Sequence, residues 1–365
     1  MSLHIRNRDD VLAAIADEQF LEDLDLSGID LSGADLTGGW FERVNLRGAN
    51  LRGANIQRTA FRDCDCTGAD LSHIKLDGAF LNDMKLAGAH LNNAHFERVS
   101  MSNGDFVGAD FSKTKLHYCA IQNSDLTRAR FAGTSCLRSS FLKSKAGADF
   151  NGCDLGLAFF TECDLSGIIL RGARLFKTAL ISSSMPGYDF SGMEMEYVQF
   201  SFSNLKGAIF RDCRLKGVNF IKCKLSGADF SGCRTSQCLF REAEMDGVNM
   251  ENGRFVQAMF PDAVLRGARM SRADFSDSLC ACANFSECTA NDAVFFRADL
   301  SHVDLRGGLF NRADFTSANL FRILKRDSIM DGAVFHGARE YDPERARSED
   351  WPCELPEDKT KQARS

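Results

Sequence analysis

Fourteen cysteines are the residues with the most evident chemistry in this 365-residue sequence. Cysteine thiolates bind metal ions and carry out redox reactions, and two close pairs occur, Cys64-Asp65-Cys66 and Cys280-Ala281-Cys282. Neither pair has the two-residue separation typical of zinc and redox motifs, and no matching second pair lies nearby in the sequence. We therefore predict no metal site.

Seven histidines and many aspartates are the other groups that could take part in catalysis. Histidine acts as an acid or base near neutral pH, and paired carboxylates can do the same. Most histidines fall at positions that we expect to face solvent, and the aspartates recur with a short repeat, which favours a role in turns. The sequence lacks the motifs of serine hydrolases, P-loop proteins, zinc proteases and dinucleotide-binding proteins. We predict no enzyme, no catalytic residue and no cofactor.

An apolar residue recurs every five positions along most of the chain. It does so from Leu26 to Phe141 and, after a shift of one residue, from Phe150 to Phe335, which gives 24 and 38 units. A period of five matches neither a helix nor a strand. The chain must therefore bend once in each unit and coil.

A small residue usually lies two positions before each apolar centre, as in Ala34-Asp35-Leu36-Thr37-Gly38 and Ala228-Asp229-Phe230-Ser231-Gly232. Nine cysteines occupy this small position and three occupy centres. We predict that these twelve are buried and act as small apolar side chains. They are Cys64, Cys66, Cys119, Cys136, Cys153, Cys163, Cys213, Cys223, Cys233, Cys238, Cys280 and Cys288.

This repeated pattern resembles the pentapeptide-repeat family over residues 24–337. The resemblance implies an all-β solenoid, a right-handed quadrilateral β-helix with four units in each coil. The units then make about 15 coils, and the roughly 4.8 Å spacing of strands gives a rod on the order of 75 Å long.

The resemblance and the local patterns together predict five segments. A capping helix near residues 8–20, beginning at Asn7 or Asp9, should cover the first coil. The predicted segments are an N-terminal helical cap (1–23), a first stack (24–141), a register slip or bend (142–149), a second stack (150–337) and a polar C-terminal tail (338–365).

Apolar residues at an outward position are the first candidate site. Leu239, Met259 and Leu279 occupy the position before the centre, which is usually polar, at intervals of 20 residues. With four units per coil they stack on one face, and Phe159 has the same phase four coils earlier. An exposed apolar ladder of this kind is typical of a protein-binding face, although a tail folding back from Glu340 could also cover it.

An irregular coil is the second candidate site. Tyr188 and Met193 replace the small inward residue, close to Met185 and Pro186. Such large side chains must widen the coil, and a bulge is the simplest structural explanation.

Charge limits the functions that the resemblance implies. Some members of the family imitate a DNA duplex and protect DNA gyrase. Here residues 26–141 carry 12 acidic and 13 basic side chains, and residues 142–335 carry 23 of each. A duplex has about one negative charge per 1.7 Å, so a nearly neutral rod is a poor substitute. DNA gyrase is the alternative partner, and direct nucleic-acid binding is not expected.

The ends of the repeat region point to another function. Residues 9–15, 24–33, 318–322 and 330–333 resemble long pentapeptide-repeat proteins found in bacterial type VI secretion gene clusters. That resemblance implies a scaffold or adaptor that binds a secretion spike or an effector. The absence of an apolar export signal or an 18-residue apolar run predicts a bacterial cytoplasmic protein without membrane contact. Homodimer formation and delivery by a signal-less secretion system stay open.

Overall fold

The computed structural model describes residues 5–341 together with Glu344, Arg347 and Glu349. A helix, α1 (Arg8–Ala16), precedes a parallel β-solenoid with short strands. These are β1 (Phe20–Glu22), β2 (Trp40–Glu42), β3 (Ala60–Arg62), β4 (Lys75–Asp77), β5 (Phe80–Asn82), β6 (His95–Glu97), β7 (Ser100–Ser102), β8 (Lys115–His117), β9 (Ala120–Gln122), β10 (Ser140–Leu142), β11 (Phe159–Thr161), β12 (Ala179–Ile181), β13 (Glu194–Glu196), β14 (Arg214–Lys216) and β15 (Arg234–Ser236).

The helix α1 covers the first coil, as the sequence predicts. Asn7 is the residue that caps it, and its side-chain oxygen accepts a hydrogen bond from the backbone N–H of Asp10 at 3.0 Å. Val11 and Ala14 are buried against the solenoid. The helix ends at Ala16, before the predicted residue 20, because the chain must turn to enter β1.

Parallel pairing joins each coil to the next, with partners 20 residues apart, as between Phe20 and Trp40. The strands form three sheets, in the orders β1-β2-β3-β5-β7-β9-β10-β11-β12, β4-β6-β8 and β13-β14-β15. Isolated bridges continue the same ladders where no strand is assigned. One ladder runs through Phe20, Trp40, Ala60, Phe80, Ser100, Ala120, Ser140, Phe159, Ala179, Gln199, Asn219, Leu239, Met259, Leu279, Asp299, Asn319 and Arg339.

This ladder corrects the predicted number of coils by a small amount. It already begins at Phe20, whereas the sequence analysis began the repeat at Leu26 and assigned residues 1–23 to the cap. Leu21 is fully buried and acts as a further apolar centre. The solenoid is therefore slightly longer than the predicted 15 coils.

The backbone N–H and carbonyl groups of each unit form hydrogen bonds in a regular pattern. The N–H of a central residue donates to the next coil, as from Leu31 to the carbonyl of Asn50 at 2.7 Å. The N–H of the following small residue, Ala34, donates back to the carbonyl of Leu31 at 3.0 Å and closes a turn. The Asp30 carboxylate accepts from the N–H of Ser32 at 2.9 Å, which keeps the pKa of Asp30 below its usual range. The recurring aspartates thus act in turns.

Phenylalanine rings fill the interior in columns that follow the ladders. Phe190, Phe210 and Phe230 stack face to face, with 4.7 and 4.6 Å between successive ring centroids. A neighbouring column contains Phe200 and Phe220, and its rings meet the first column edge to face. Offset stacking within a column and edge contacts between columns are both favourable for aromatic rings, so these columns hold the coils in register.

The register slip lies in the predicted segment 142–149 and is absorbed by a four-residue unit. Ala146 is a buried centre, and the N–H of Ala148 donates to its carbonyl at 2.8 Å. Lys145 pairs with Asp164, 19 residues later, where 20 is the rule. The ladders continue across the slip, and residues on both sides of it pair directly.

The last described coil carries contacts to the beginning of the tail. The Lys325 ammonium lies 2.8 Å from the Glu340 carboxylate. The Glu349 carboxylate lies 3.0 Å from Nε2 of His302 and 3.5 Å from the guanidinium of Arg322. Most of the predicted tail, 338–365, lies outside the described residues.

Backbone strain at the second residue after each centre yields a matched pair of predictions. Gln257 has a φ of 57° there, which is costly for a residue with a Cβ, whereas Gly267 has a φ of 66° and an open surface around it. We expect Gln257→Gly to raise the free energy of unfolding by about 0.5–1 kcal/mol and Gly267→Ala to lower it by about 1 kcal/mol. Urea unfolding of both variants checks this. A lower free energy of unfolding for Gln257→Gly, or a higher one for Gly267→Ala, would contradict the strain argument.

Candidate functional site

The predicted ladder of outward apolar residues is formed as expected from its spacing. Leu239 pairs with Met259, and Met259 pairs with Leu279, so the three side chains lie in successive coils on one face. Met259 is 37% exposed and Leu279 is 45% exposed. Parallel coils place such residues about 4.8 Å apart along the rod.

Two further residues enlarge this surface. Pro261 and Ala281 lie two positions after Met259 and Leu279, are half-buried, and are adjacent in successive coils because the N–H of Asp262 donates to the carbonyl of Ala281. The sequence analysis did not include them, since it considered only the position before each centre. We call the surface of Leu239, Met259, Leu279, Pro261 and Ala281 the lateral apolar face.

Phe159 belongs to the same ladder and is 47% exposed, but it is not part of the lateral apolar face. Its ladder continues through Ala179, Gln199 and Asn219 before it reaches Leu239. A small residue and two polar residues thus separate Phe159 from the face with which the sequence analysis grouped it.

The sequence analysis missed three large apolar side chains at the N-terminal end of this ladder. Phe20, Trp40 and Phe80 are 61%, 40% and 63% exposed, and the rings of Phe20 and Trp40 meet edge to face at 5.5 Å. Each residue directly precedes a centre, as Met259 does. The same positional signal could therefore have identified them.

The irregular coil opens a cleft in the side of the solenoid. The cleft has a volume of about 940 Å³, and its lining includes Ile169, Phe176, Tyr188 and Met193. The structure thus brings together two of the four predicted residues. Met185 is a buried centre, and Pro186 does not line the cleft.

The Tyr188 side chain replaces a backbone contact between coils. Its hydroxyl oxygen accepts a hydrogen bond from the N–H of Leu170 at 2.9 Å, and its ring meets Phe190 edge to face at 4.5 Å. Burial raises the pKa of the Tyr188 hydroxyl above its ordinary value. The ring therefore acts as a wedge between two coils, which is a larger change than the predicted bulge.

The twelve cysteines predicted to be core residues are buried in the structure. Seven of the nine at the small inward position also donate hydrogen bonds, which the sequence analysis did not foresee. The Cys223 thiol donates to the carbonyl of Phe200 at 2.8 Å, and the Cys213 thiol to that of Phe190 at 3.0 Å. Ser203 makes the equivalent bond to Leu180 at 2.6 Å. Cysteine, serine and threonine are thus interchangeable here as small donors.

Burial also suppresses the reactivity of these thiols, because the thiolate is the nucleophile and the metal ligand. Desolvation raises the pKa of Cys213 and Cys238 to about 11 and that of Cys223 to about 12. Across the described part of the chain, no three His, Cys, Asp or Glu side chains are grouped as metal ligands.

Arginine and acidic side chains alternate along the outer surface and pair between coils. Arg297 lies 2.7 Å from Asp277, and Arg312 lies 2.7 Å from Asp292 in a neighbouring ladder position. Both arginines keep the pKa of their partner carboxylate below its usual range. Much of the negative charge on the rod is therefore matched locally by positive charge.

Short parallel ladders, five-residue units and a solid aromatic interior define a β-solenoid protein whose outer faces are its available surfaces. More than half of the chain matches family models for pentapeptide repeats. The model of eight repeat copies matches residues 29–65, 64–103, 94–133, 146–176, 173–212 and 293–320, and a pentapeptide repeat region matches residues 213–280. The chain belongs to the pentapeptide-repeat family.

Solved structures of pentapeptide-repeat proteins are similar to this chain. One from the Arabidopsis thaliana thylakoid lumen is 30% identical over 29% of this chain and 68% of its own, with a TM-score of 0.19. HetL, involved in heterocyst differentiation regulation in the cyanobacterium Nostoc, is 20% identical over 92% and 97%, with a TM-score of 0.17. QnrB1, a plasmid-mediated fluoroquinolone resistance protein, is 18% identical over 68% and 96%, with a TM-score of 0.24.

No curated protein matches the chain. Among the residues that the structure describes, there is also no helix with the length and apolar character needed to cross a membrane.

The raised thiol pKa values predict a loss of stability at alkaline pH. An unfolded cysteine titrates near 9.0, whereas the folded thiols hold their protons to about 11 or above. Above pH 9 the unfolded state therefore binds fewer protons, and the free energy of unfolding falls as pH rises. We expect the triple variant Cys213→Ser, Cys223→Ser, Cys238→Ser to lose less stability between pH 8.5 and 11.

Thermal unfolding at a series of pH values measures this difference. Serine already fills the equivalent position at Ser203, so the variant keeps a small donor at each site. An equal fall in Tm for both proteins would show that these thiols do not titrate on unfolding.

Proposed function

We propose that the protein is a non-enzymatic scaffold that binds another protein through its lateral apolar face. The observation that carries this proposal is the direct pairing of Leu239, Met259 and Leu279, which are exposed or half-exposed in three successive coils. Apolar side chains aligned on a rigid surface lose little conformational entropy when a partner covers them, so they are suited to binding.

The surroundings of the lateral apolar face support a protein partner. Arg241 lies one coil before Pro261 and Asp262 directly follows Pro261; both are exposed, and Arg241 contacts Glu242 at 3.2 Å. A central apolar strip with charged groups at its margin is the usual arrangement of a protein interface. The solid interior beneath it, with Phe240 and Phe260 stacked at 4.7 Å, keeps the strip rigid.

The proposed partner is a component of bacterial type VI secretion, either a spike protein or an effector. This finer assignment rests on the resemblance of residues 9–15, 24–33, 318–322 and 330–333 to long family members from such gene clusters. The protein would then act in the cytoplasm as an adaptor. A long, stiff solenoid suits this role because it separates the ends of a complex at a fixed distance.

DNA gyrase is the alternative partner, and the charge pairing described above bears on it. Imitation of a duplex requires dense, uncompensated negative charge. Pairs such as Arg297 with Asp277 and Arg211 with Asp229 place a cation beside the acid, which reduces the acidic character of these faces. The adaptor is therefore the function that we favour.

Affinity capture with two matched variants tests the proposal. Met259→Arg places a charge in the lateral apolar face, whereas Val264→Arg places it at the same repeat position on the neighbouring ladder. We expect wild type and Val264→Arg to capture a spike or effector protein from cells that naturally contain the chain. Met259→Arg should reduce that capture at least about tenfold, since a buried unpaired charge costs several kcal/mol.

Circular dichroism and thermal unfolding should be alike for the two variants, because both substitutions are on the outer surface. Purified DNA gyrase in a parallel sample decides between the partners. Capture of gyrase and of no secretion component would replace the adaptor with the alternative. Equal capture by Met259→Arg and Val264→Arg would remove the lateral apolar face as the binding surface.

A further inference from the structure

The cleft at Tyr188 interrupts the ladders that join two coils. Between the coil of residues 164–179 and the coil of residues 184–199, pairing is present from Asp164 to Ser184 and resumes with Phe176 to Glu196 and Ala179 to Gln199. The bridges expected between these points, from Ile169 to Asp189 and from Arg174 to Glu194, are missing from this otherwise regular described region. The solenoid is therefore split along the side of Ile169 and along part of the next side, and it closes again at Phe176.

The split leaves backbone groups without partners on both edges of the cleft. We call these edges its two lips; one belongs to the coil of residues 164–179 and the other to the coil of residues 184–199. By the rule of the other coils, the N–H groups of Gly172 and Leu175 should donate to the next coil, and those of Asp189 and Glu194 should donate to the preceding coil. None of these four donors has a hydrogen-bond partner among the described residues. A fifth, from Leu170, is satisfied only by the Tyr188 hydroxyl. Unpaired rows of this kind are templates for another strand.

The two lips are complementary to the same occupant. In a regular stack, each coil donates from its centre to the following coil and accepts from that coil at its small residue. The coil of residues 164–179 exposes the backbone edge that elsewhere pairs with a following coil. The coil of residues 184–199 exposes the edge that elsewhere pairs with a preceding coil. A single strand parallel to both could therefore pair with both at once, as coils do throughout the rod.

We infer that the cleft binds an extended peptide segment of a partner protein by β-strand addition, parallel to both lips and about eight residues long. Residues 168–175 define this length, since they span the split. Main-chain hydrogen bonds supply affinity in this mode of recognition, and side chains on alternate positions supply selectivity. The site lies on a different part of the rod from the lateral apolar face.

The residues that line the cleft indicate which side chains the bound peptide should have. Ile169 is 48% exposed at the cleft, and Tyr188 and Met193 present a ring and a thioether to it. Aliphatic or small side chains facing inward would contact these groups, and the adaptable Met193 suits such contacts. Arg171 and Glu196 also line the cleft, so polar side chains facing outward are accommodated.

The C-terminal tail of the same chain is a poorer occupant on sequence grounds. Its residues 350–365 include Pro352 and Pro356, which have no N–H to donate to a ladder. This segment also has four acidic and three basic residues, and its large apolar side chains are Trp351 and Leu355 alone, which leaves it with little apolar surface. A partner's peptide therefore matches the cleft better.

The protein's own repeat supplies the probe for a direct test. A labelled peptide with the sequence of residues 264–275, VLRGARMSRADF, contains two regular units and no cysteine. Its control carries proline at the positions of Arg269 and Asp274, whose N–H groups donate to the preceding coil in the intact protein. We expect the first peptide to bind the full chain and the proline peptide to bind at least about tenfold more weakly.

The double variant Tyr188→Ala, Met193→Ala tests whether the wedge creates the site. Alanine is the usual small inward residue, as at Ala208 and Ala228, so the variant should allow the two coils to pair and the cleft to close. We expect it to lose peptide binding and to have a raised Tm. Met259→Arg should bind the peptide as wild type does, which separates this site from the proposed scaffold function.

Amide hydrogen exchange measures whether the unpaired N–H groups on the two lips of the cleft become hydrogen-bonded when the peptide binds. The amides of Gly172, Leu175, Asp189 and Glu194 should exchange rapidly in the free protein and at least about tenfold more slowly with the peptide bound. Protection of these amides in the free protein would show a closed or self-occupied cleft and would overturn the proposal. Equal binding of the two peptides, or retained binding by the double variant, would overturn it as well.

Discussion

Hydrogen bonding between consecutive coils is the constraint on which the rest of this protein depends. Each coil has only two neighbours, and its backbone groups point along the rod toward them. The side chains can then face either directly inward or directly outward. The inward positions must fit a square cross-section of constant width, which explains why one large and one small residue alternate. The outward positions are free to vary, and the surfaces available to partners are built there.

The period of five made most of this architecture predictable, because the same five-residue pattern sets the backbone conformation of every unit. Leu239, Met259 and Leu279 could be placed on one face from spacing alone. Phe20, Trp40 and Phe80 follow the same rule, but Phe20 was assigned to the cap and Ala60 separates Trp40 from Phe80 in the ladder. Pro261 and Ala281 were missed because their exposure depends on the turn that follows the centre.

The cleft shows where prediction from sequence stops. Tyr188 and Met193 were recognisable as too large for the inward position, yet their size alone does not say how the coil responds. A coil can bulge, shift its register or separate from its neighbour, and these outcomes differ by a few hydrogen bonds. Here the Tyr188 hydroxyl satisfies the Leu170 N–H, and that one contact helps to hold two coils apart. Such a balance between ring volume and hydrogen bonding requires three-dimensional geometry.

The short unit around Ala146 has a consequence for how such a rod can change over evolution. Because four units complete one circuit, the side of the rod on which a residue lies is set by its position within a 20-residue cycle. Loss of a whole unit would turn everything downstream by a quarter circle, so Met259 would no longer share a side with Trp40. Loss of one residue within the unit at Ala146 leaves the circuit complete. The solenoid can therefore tolerate a small deletion inside a corner, while it can lengthen or shorten without rearranging its surfaces only by full circuits.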